Sequence, residues 1–157
     1  MGKVEPIAPY LEPLRKDVRV PLTPEGAFEL FTAGLSRWWP LATHSVFEGR
    51  ARACGIEPRV GGSLWEEVDA SERSVWGTVL VWEPPVRFVV TWHPGGEPAT
   101  AQEVEVQFLA DGDGALVKLE HRGWARLGDR ASEAREGYSK GWVGVLGRYV
   151  EVAGGGR

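Results

Sequence analysis

Two acidic side chains, Glu57 and Glu66, flank a double glycine in the run IEPRVGGSLWEE, residues 56–67. Folded back on itself, such a run brings its ends together. Two carboxylates in one apolar site can then divide the roles of general acid and general base. Alternation sets Glu66 with Leu64 and Val68, on the inward side of a strand. The competing reading is an ion pair in which the carboxylates share Arg59 or an arginine of a neighbouring strand. Glycine pairs also build phosphate-binding loops, but those feed a helix N-terminus and carry Lys with Ser or Thr. Leu64–Val68 reads as strand instead. Gly61 and Gly62 are therefore expected at a hairpin turn, where glycine supplies positive φ.

The chain has three histidines, His44, His93 and His121, without HxH or HxxxH spacing, so no metal site is expected. His121 follows Val117 and Leu119 on one strand face. That aims it inward, either as a hydrogen-bonded wall residue or as a polar group that orients a ligand. Glu57, Glu66 and His121 are the weak catalytic candidates, and no signature such as GxSxG accompanies them. The single cysteine, Cys54, lacks a neighbouring His or Lys in sequence and has no partner for an internal disulfide. Asp111-Gly112-Asp113-Gly114 has the acidic and glycine content of a calcium loop. Its glycine is misplaced for an EF-hand and the closing glutamate is missing, so it reads as a hairpin turn.

Eight tryptophans are the unusual feature of the composition. Indoles are large, flat and polar at one edge, which suits a core wall and a ligand wall equally. Trp39, Trp76, Phe88, Trp92, His121, Tyr138 and Trp142 form the candidate ligand-binding set. The alternative is that these rings only fill the core.

The elements that must position these residues follow from turn chemistry and periodicity. Leu14–Pro21 reads as a first strand. Thr23 is a natural N-cap with Pro24 at the first helical position, and Ala27, Phe28, Leu30 and Phe31 mark an apolar face ending near Gly34. A second short helix is expected over Leu35–Trp39, stopped by Pro40. From about Val46 the period changes to two. Strands are expected over Ser74–Trp82, Val86–His93, Gln102–Leu109 and Ala115–Arg122, with turns at Pro84-Pro85, Pro94-Gly95-Gly96 and Asp111–Gly114. In Gln102–Leu109, Val104, Val106 and Phe108 share one face. Regular hairpin spacing makes this run one antiparallel meander. Ser132 to about Val152 carries Ala134, Tyr138, Trp142, Val145 and Tyr149 on one helical stripe. Gly137, Gly141, Gly144 and Gly147 lie in the same helix. They are expected either to permit close contact with the sheet or to leave space beneath the helix. Such a helix should lie across the concave side of a curved sheet, and the space between them is the candidate pocket.

The 157 residues are expected to form one domain over 1–157, with an extended arm over 1–13 and a flexible tail over 153–157. A net charge of −4 without a Lys/Arg run argues against a nucleic-acid partner. Neither a signal peptide nor a membrane span is read in the sequence, so a cytoplasmic protein is the expectation.

This order of elements, with TPEGAFELFT and RWWP, IEPRVGG, WGTVLVWEPPVRFVVTW, VKLEHRGW and YSKGWVGVL, resembles the helix-grip fold of the START/Bet v 1-like (SRPBCC) superfamily. More narrowly it resembles the family related to the activator of Hsp90 ATPase. The resemblance implies an α+β fold, a curved antiparallel sheet wrapped around a long C-terminal helix, with two short helices after strand 1. It also implies an apolar cavity between sheet and helix. The expected function is binding of a small hydrophobic or aromatic molecule there, without a cofactor. A cyclase, dehydratase or hydrolase using the same cavity is one alternative. A protein-binding module like the Hsp90 co-chaperones is another, and a homodimer remains open.

Overall fold

The computed structural model describes residues 11–155. Seven strands, β1 (Leu14–Val20), β2 (Ala53–Ile56), β3 (Ser63–Asp69), β4 (Glu72–Glu83), β5 (Arg87–Trp92), β6 (Gln102–Asp111) and β7 (Gly114–Arg122), form one sheet in the order β1-β7-β6-β5-β4-β3-β2. From β2 to β7 each strand returns beside its predecessor, as the turn residues predict. β1 then pairs with β7, Val18 opposite Val117. Three helices, α1 (Pro24–Phe31), α2 (Leu35–Trp38) and α3 (Ala131–Ala153), complete the fold. A 3-10 segment, Trp124–Arg130, leads into α3 and was not foreseen from the sequence.

Local chemistry explains most boundaries. Thr23 Oγ1 accepts the Gly26 N–H at 3.1 Å, which caps α1 as expected. Ala27, Phe28, Leu30 and Phe31 are buried against the sheet. Tyr149 on α3 donates its hydroxyl to the Ala27 carbonyl at 2.7 Å, and Trp38 donates its indole N–H to the Leu30 carbonyl at 3.0 Å. The helical layer is thus tied together by buried polar contacts as well as by packing. On β6 the inward Val104, Val106 and Phe108 are buried. The alternate residues face outward, where Arg122 Nη1 donates to Glu105 at 2.6 Å and to Glu120 at 2.8 Å, and Arg87 reaches Glu105 at 2.9 Å. This outer lattice of charge accounts for the strict polar half of the alternation.

The sheet curls at β4. Its register with β5 shifts between Val79 and Val81, and Gly77 lies against the Thr91 backbone. A Cβ at Gly77 would fall inside the Thr91 carbonyl oxygen. Only glycine lets the two strands approach this closely as the sheet bends.

Two expectations need correction. Period-two structure does not begin at Val46: residues 40–52 are turns and loop, and β2 starts at Ala53. The backbone of 46–47 turns toward Glu66 of β3 and is hydrogen-bonded by its carboxylate, which a strand pairing would prevent. The second correction concerns the α3 glycines. Gly137, Gly144 and Gly147 are exposed, and a Cβ on any of them would meet nothing within 4 Å. They neither admit the sheet nor leave space beneath the helix; they lie on the solvent side. Each loosens the helix without a packing reason, so replacement by Ala should stabilise the protein by up to about 1 kcal/mol per site. Chemical denaturation of the triple Gly137→Ala, Gly144→Ala, Gly147→Ala variant checks this. An unchanged or lower midpoint would show that α3 needs this softness.

Ten residues of the expected N-terminal arm, 1–10, lie outside the described residues, as do 156–157 of the expected tail. Arg135 of α3 holds the chain beyond them, donating to the carbonyls of Glu12 at 2.7 Å and Pro13 at 3.4 Å. Ala153 ends α3, and Gly154 and Gly155 still bond back to the Val150 and Val152 carbonyls.

Candidate functional site: a tryptophan box under the C-terminal helix

Four indoles from four elements meet beneath α3. Trp39 comes from the C-cap of α2, Trp76 from β4, Trp92 from β5 and Trp142 from α3. Ring centroids lie 5.0 Å apart for Trp39 and Trp76, 5.9 Å for Trp76 and Trp92, 5.3 Å for Trp92 and Trp142, and 6.0 Å for Trp142 and Trp39. The order closes into a ring of tilted and edge-to-face contacts, the arrangements that aromatic quadrupoles favour.

Each of these indoles gives its N–H to an acceptor outside the ring. Trp39 donates to the His44 carbonyl at 2.8 Å and Trp76 to Glu66 Oε1 at 2.7 Å. Trp92 donates to the Tyr138 hydroxyl at 3.2 Å and Trp142 to His121 Nδ1 at 3.1 Å. With every polar edge committed outward, the box presents π-faces inward. Its one polar lining side chain, Thr32, donates its hydroxyl to the Phe28 carbonyl at 2.7 Å. The enclosed space is about 20 Å³, little more than one water needs, and it offers water almost nothing to bond. The apolar cavity that the family resemblance implies is nearly filled here, because the indoles occupy it.

The candidate residues sort by depth. Trp39, Trp76, Phe88, Trp92 and Trp142 border the space. His121 and Tyr138 do not; they stand one layer behind as acceptors for Trp142 and Trp92. Phe31, Leu35, Ile56, Leu64 and Val90 also line it, and none of them was among the expected ligand-binding residues. Their inward alternation and helical spacing were visible, but nothing in one strand says which inward residues face a void and which face each other.

Glu57 and Glu66 are not brought together. In the β2–β3 register Glu66 lies opposite Cys54, while Glu57 falls in the turn. Glu57 accepts the Ser63 N–H at 2.7 Å and pairs with Arg59 at 3.3 Å. The Ser63 N–H bond, helped by the Arg59 charge, holds its carboxyl below the usual range against an opposing desolvation. Glu66 is fully buried and accepts from four neutral donors. Val46 N at 2.6 Å joins Trp76 on Oε1; Ser45 Oγ at 2.5 Å and Phe47 N at 3.3 Å bond Oε2. Its acceptor capacity is filled by loop backbone and an indole, so it has neither Arg59 as partner nor a free oxygen for a substrate. Cys54 is buried opposite it. Burial, then the Glu66 charge, raises the thiol to about 12, which keeps it an inert thiol.

His121 is buried between the Trp124 ring at 4.2 Å and the Tyr138 ring at 4.7 Å. Because Nδ1 accepts from Trp142, the proton sits on Nε2, facing Gln102 Oε1 at 3.3 Å. Desolvation lowers its pKa from 6.5 to about 3. A histidine held neutral in the fold stabilises it fully above the unfolded value of 6.5, and this contribution is lost as pH falls from 6.5 toward 3. Stability measured by urea unfolding should therefore fall between pH 6.5 and 5, before most carboxylates titrate. His121→Phe should be less stable at neutral pH and should flatten that slope. A slope unchanged in the variant would place the titration elsewhere.

The arrangement defines a class: a curled sheet closed by a long C-terminal helix over an aromatic interior, with two short helices after the first strand. That is the helix-grip fold. The chain belongs to the activator of Hsp90 ATPase homolog 1-like (AHSA1) family, whose model matches residues 21–151. No protein of curated function matches it in sequence. Among solved structures it is similar to an anthrahydroquino-γ-pyrone synthase, Txn09, with 29% identity, 91% of this chain and 97% of that one covered, and a TM-score of 0.61. It is similar to CalC, a self-sacrificing resistance protein from Micromonospora echinospora, with 26% identity, coverage of 93% and 94%, and a TM-score of 0.64. An Aha1 dimer from Colwellia psychrerythraea shares the fold at 16% identity, with coverage of 94% and 99% and a TM-score of 0.65. Membership and likeness support ligand binding as the general role. Among the described residues no helix is long and apolar enough to cross a membrane.

Proposed function

We propose that this AHSA1-like domain binds a flat, apolar aromatic molecule in the tryptophan-lined space between sheet and α3. The observation that carries the proposal is the shared interior of π-faces that the outward commitment of all four indole N–H groups leaves. Buried indoles satisfy their N–H groups in any core, as Trp38 does on the Leu30 carbonyl; what favours a ligand here is that four rings from four elements border one shared apolar space. The likeness to Txn09, named as the synthase of a fused aromatic product, supports the same ligand class.

A space of about 20 Å³ is far below the roughly 300 Å³ of ordinary ligand pockets, so binding must open it. Trp39 is the ring that can move. It is only partly buried, it ends α2, and its N–H is held by the loop carbonyl of His44. Swinging Trp39 out with residues 40–52 would bare the faces of Trp76, Trp92 and Trp142. The catalytic alternative finds no support in the candidates named for it: Glu66 and His121 aim indoles, and Glu57 caps a turn.

Titration with 1-aminoanthracene tests the proposal. Saturable quenching of tryptophan emission is expected, and Trp39→Ala should bind the probe at least tenfold faster, because the roof of the box is gone. If neither wild type nor Trp39→Ala takes up the probe, the box is solid core and the proposal fails.

A further inference from the structure

A second pocket, of about 220 Å³, lies between the β5–β6 connection and the first turns of α3. It is distinct from the tryptophan box. Trp92 borders the box, Tyr138 borders this pocket, and their mutual hydrogen bond at 3.2 Å forms part of the partition. The two spaces differ in chemistry. Here the walls include His93, Thr100, Arg130 and Tyr138, with no Asp or Glu among the lining residues.

Three of these groups have capacity to spare. Tyr138 accepts from Trp92, and its own hydroxyl proton has no acceptor among the described residues. Burial raises the phenol pKa, so that proton stays in place at neutral pH. His93 Nδ1 is buried without a partner among the described residues. Arg130, the N-cap residue of α3, enters no ion pair among the described residues, unlike Arg122 on the outer face of the sheet. Gln102, by contrast, is spent: its amide donates to the Thr100 carbonyl at 2.8 Å and its oxygen faces His121. A guanidinium and a phenol proton, with no acid among the lining residues to neutralise them, are donors that suit a carboxylate. Leu127 and Pro94 supply apolar walls. At about 220 Å³, some ten times the space inside the tryptophan box, the pocket has room for one ring and its acid group.

We propose that this pocket is a binding site for a single-ring aromatic carboxylate, its carboxylate held by Arg130 and the Tyr138 hydroxyl and its ring set against Leu127 and Pro94. The site does not depend on the tryptophan box opening.

Benzoate titration followed by amide and indole N–H resonances tests this, with benzyl alcohol as the uncharged comparison. Benzoate is expected to shift Gly95, Gly96 and Thr100 saturably, and benzyl alcohol to bind at least tenfold more weakly. Arg130→Gln, at an exposed site, should weaken benzoate about tenfold while leaving the remaining spectrum intact. Ala134→Leu should abolish binding by filling the pocket. Benzoate that leaves these amides unmoved, or that binds Arg130→Gln as tightly as wild type, would overturn the proposal. So would benzoate shifts confined to the indole signals of Trp76 and Trp142, which report the box. Because aminoanthracene reads the box and benzoate reads this pocket, either site can fail while the other stands.

Discussion

Glu66→Gln is expected to destabilise the protein by about 2–4 kcal/mol, although the side chain keeps its size. The carboxylate accepts from Ser45 Oγ, Val46 N, Phe47 N and Trp76 Nε1, all of them donors. An amide replaces one accepting oxygen with an NH2 group. Turned toward Val46 N and Trp76 Nε1, that NH2 faces two obligate donors; turned the other way it meets the Phe47 N–H, and Ser45 Oγ must switch from donor to acceptor, in a site that water does not reach. The damage extends to the loop 40–52, whose residues 45–47 have Glu66 as their anchor on the sheet. Loosening the loop frees the carbonyl of His44 that holds Trp39. The same variant should therefore take up an aromatic probe faster than wild type, and urea unfolding together with stopped-flow quenching would read both effects. Glu57→Gln should change stability far less, because Glu57 sits in a solvent-exposed turn. Equal losses in the two variants would show that the buried network is not what anchors the loop.

Gly77→Ala is the second large effect, a loss on the order of 3 kcal/mol or more, from a single methyl group. No cavity is made and no hydrogen bond is deleted. The added Cβ meets the Thr91 backbone carbonyl, and a backbone cannot rotate aside as a side chain can. β4 and β5 must separate where His93 N donates to the Trp76 carbonyl at 2.6 Å and Thr78 N donates to Thr91 Oγ1 at 2.8 Å. Trp76 and Trp92 sit on these strands, so the box should be disturbed together with the sheet, and near-ultraviolet circular dichroism would report it. A variant within about 0.5 kcal/mol of wild type would mean the strands part freely at the bend.

Both effects sit at residues whose importance was unevenly legible. Glu66 was readable as inward-facing from its place beside Leu64 and Val68, but its partners were not. They come from residues 45–47, some twenty positions earlier, in a stretch that reads as strand because it contains Val46 and Phe47. The carboxylate converts that stretch to loop by bonding its backbone, a tertiary effect that no local pattern encodes. Gly77 sat unremarked within an apolar strand, since a glycine in a strand gives no sign of which carbonyl approaches it. Three of the four α3 glycines, Gly137, Gly144 and Gly147, invited a packing explanation and have none; their phase on the helix turns them to solvent, offset from the Tyr138–Trp142–Tyr149 stripe.

The sequence alone determined the order of the main strands and helices, the Thr23 cap of α1, the hairpin turns, the inward set on β6 and β7, and membership of the AHSA1-like family. Those properties rest on neighbours within a few residues or on period, so a linear reading reaches them. The tertiary structure decided that Glu66 and His121 accept hydrogen bonds from indoles, and that Glu57 stands apart from Glu66. It also decided that the aromatic residues nearly close the space they surround. Those outcomes depend on which side chains, brought in from distant elements, meet at hydrogen-bonding distance. Whether an interior polar atom is free or spent is a property of its partners, and its own position in the chain does not carry it.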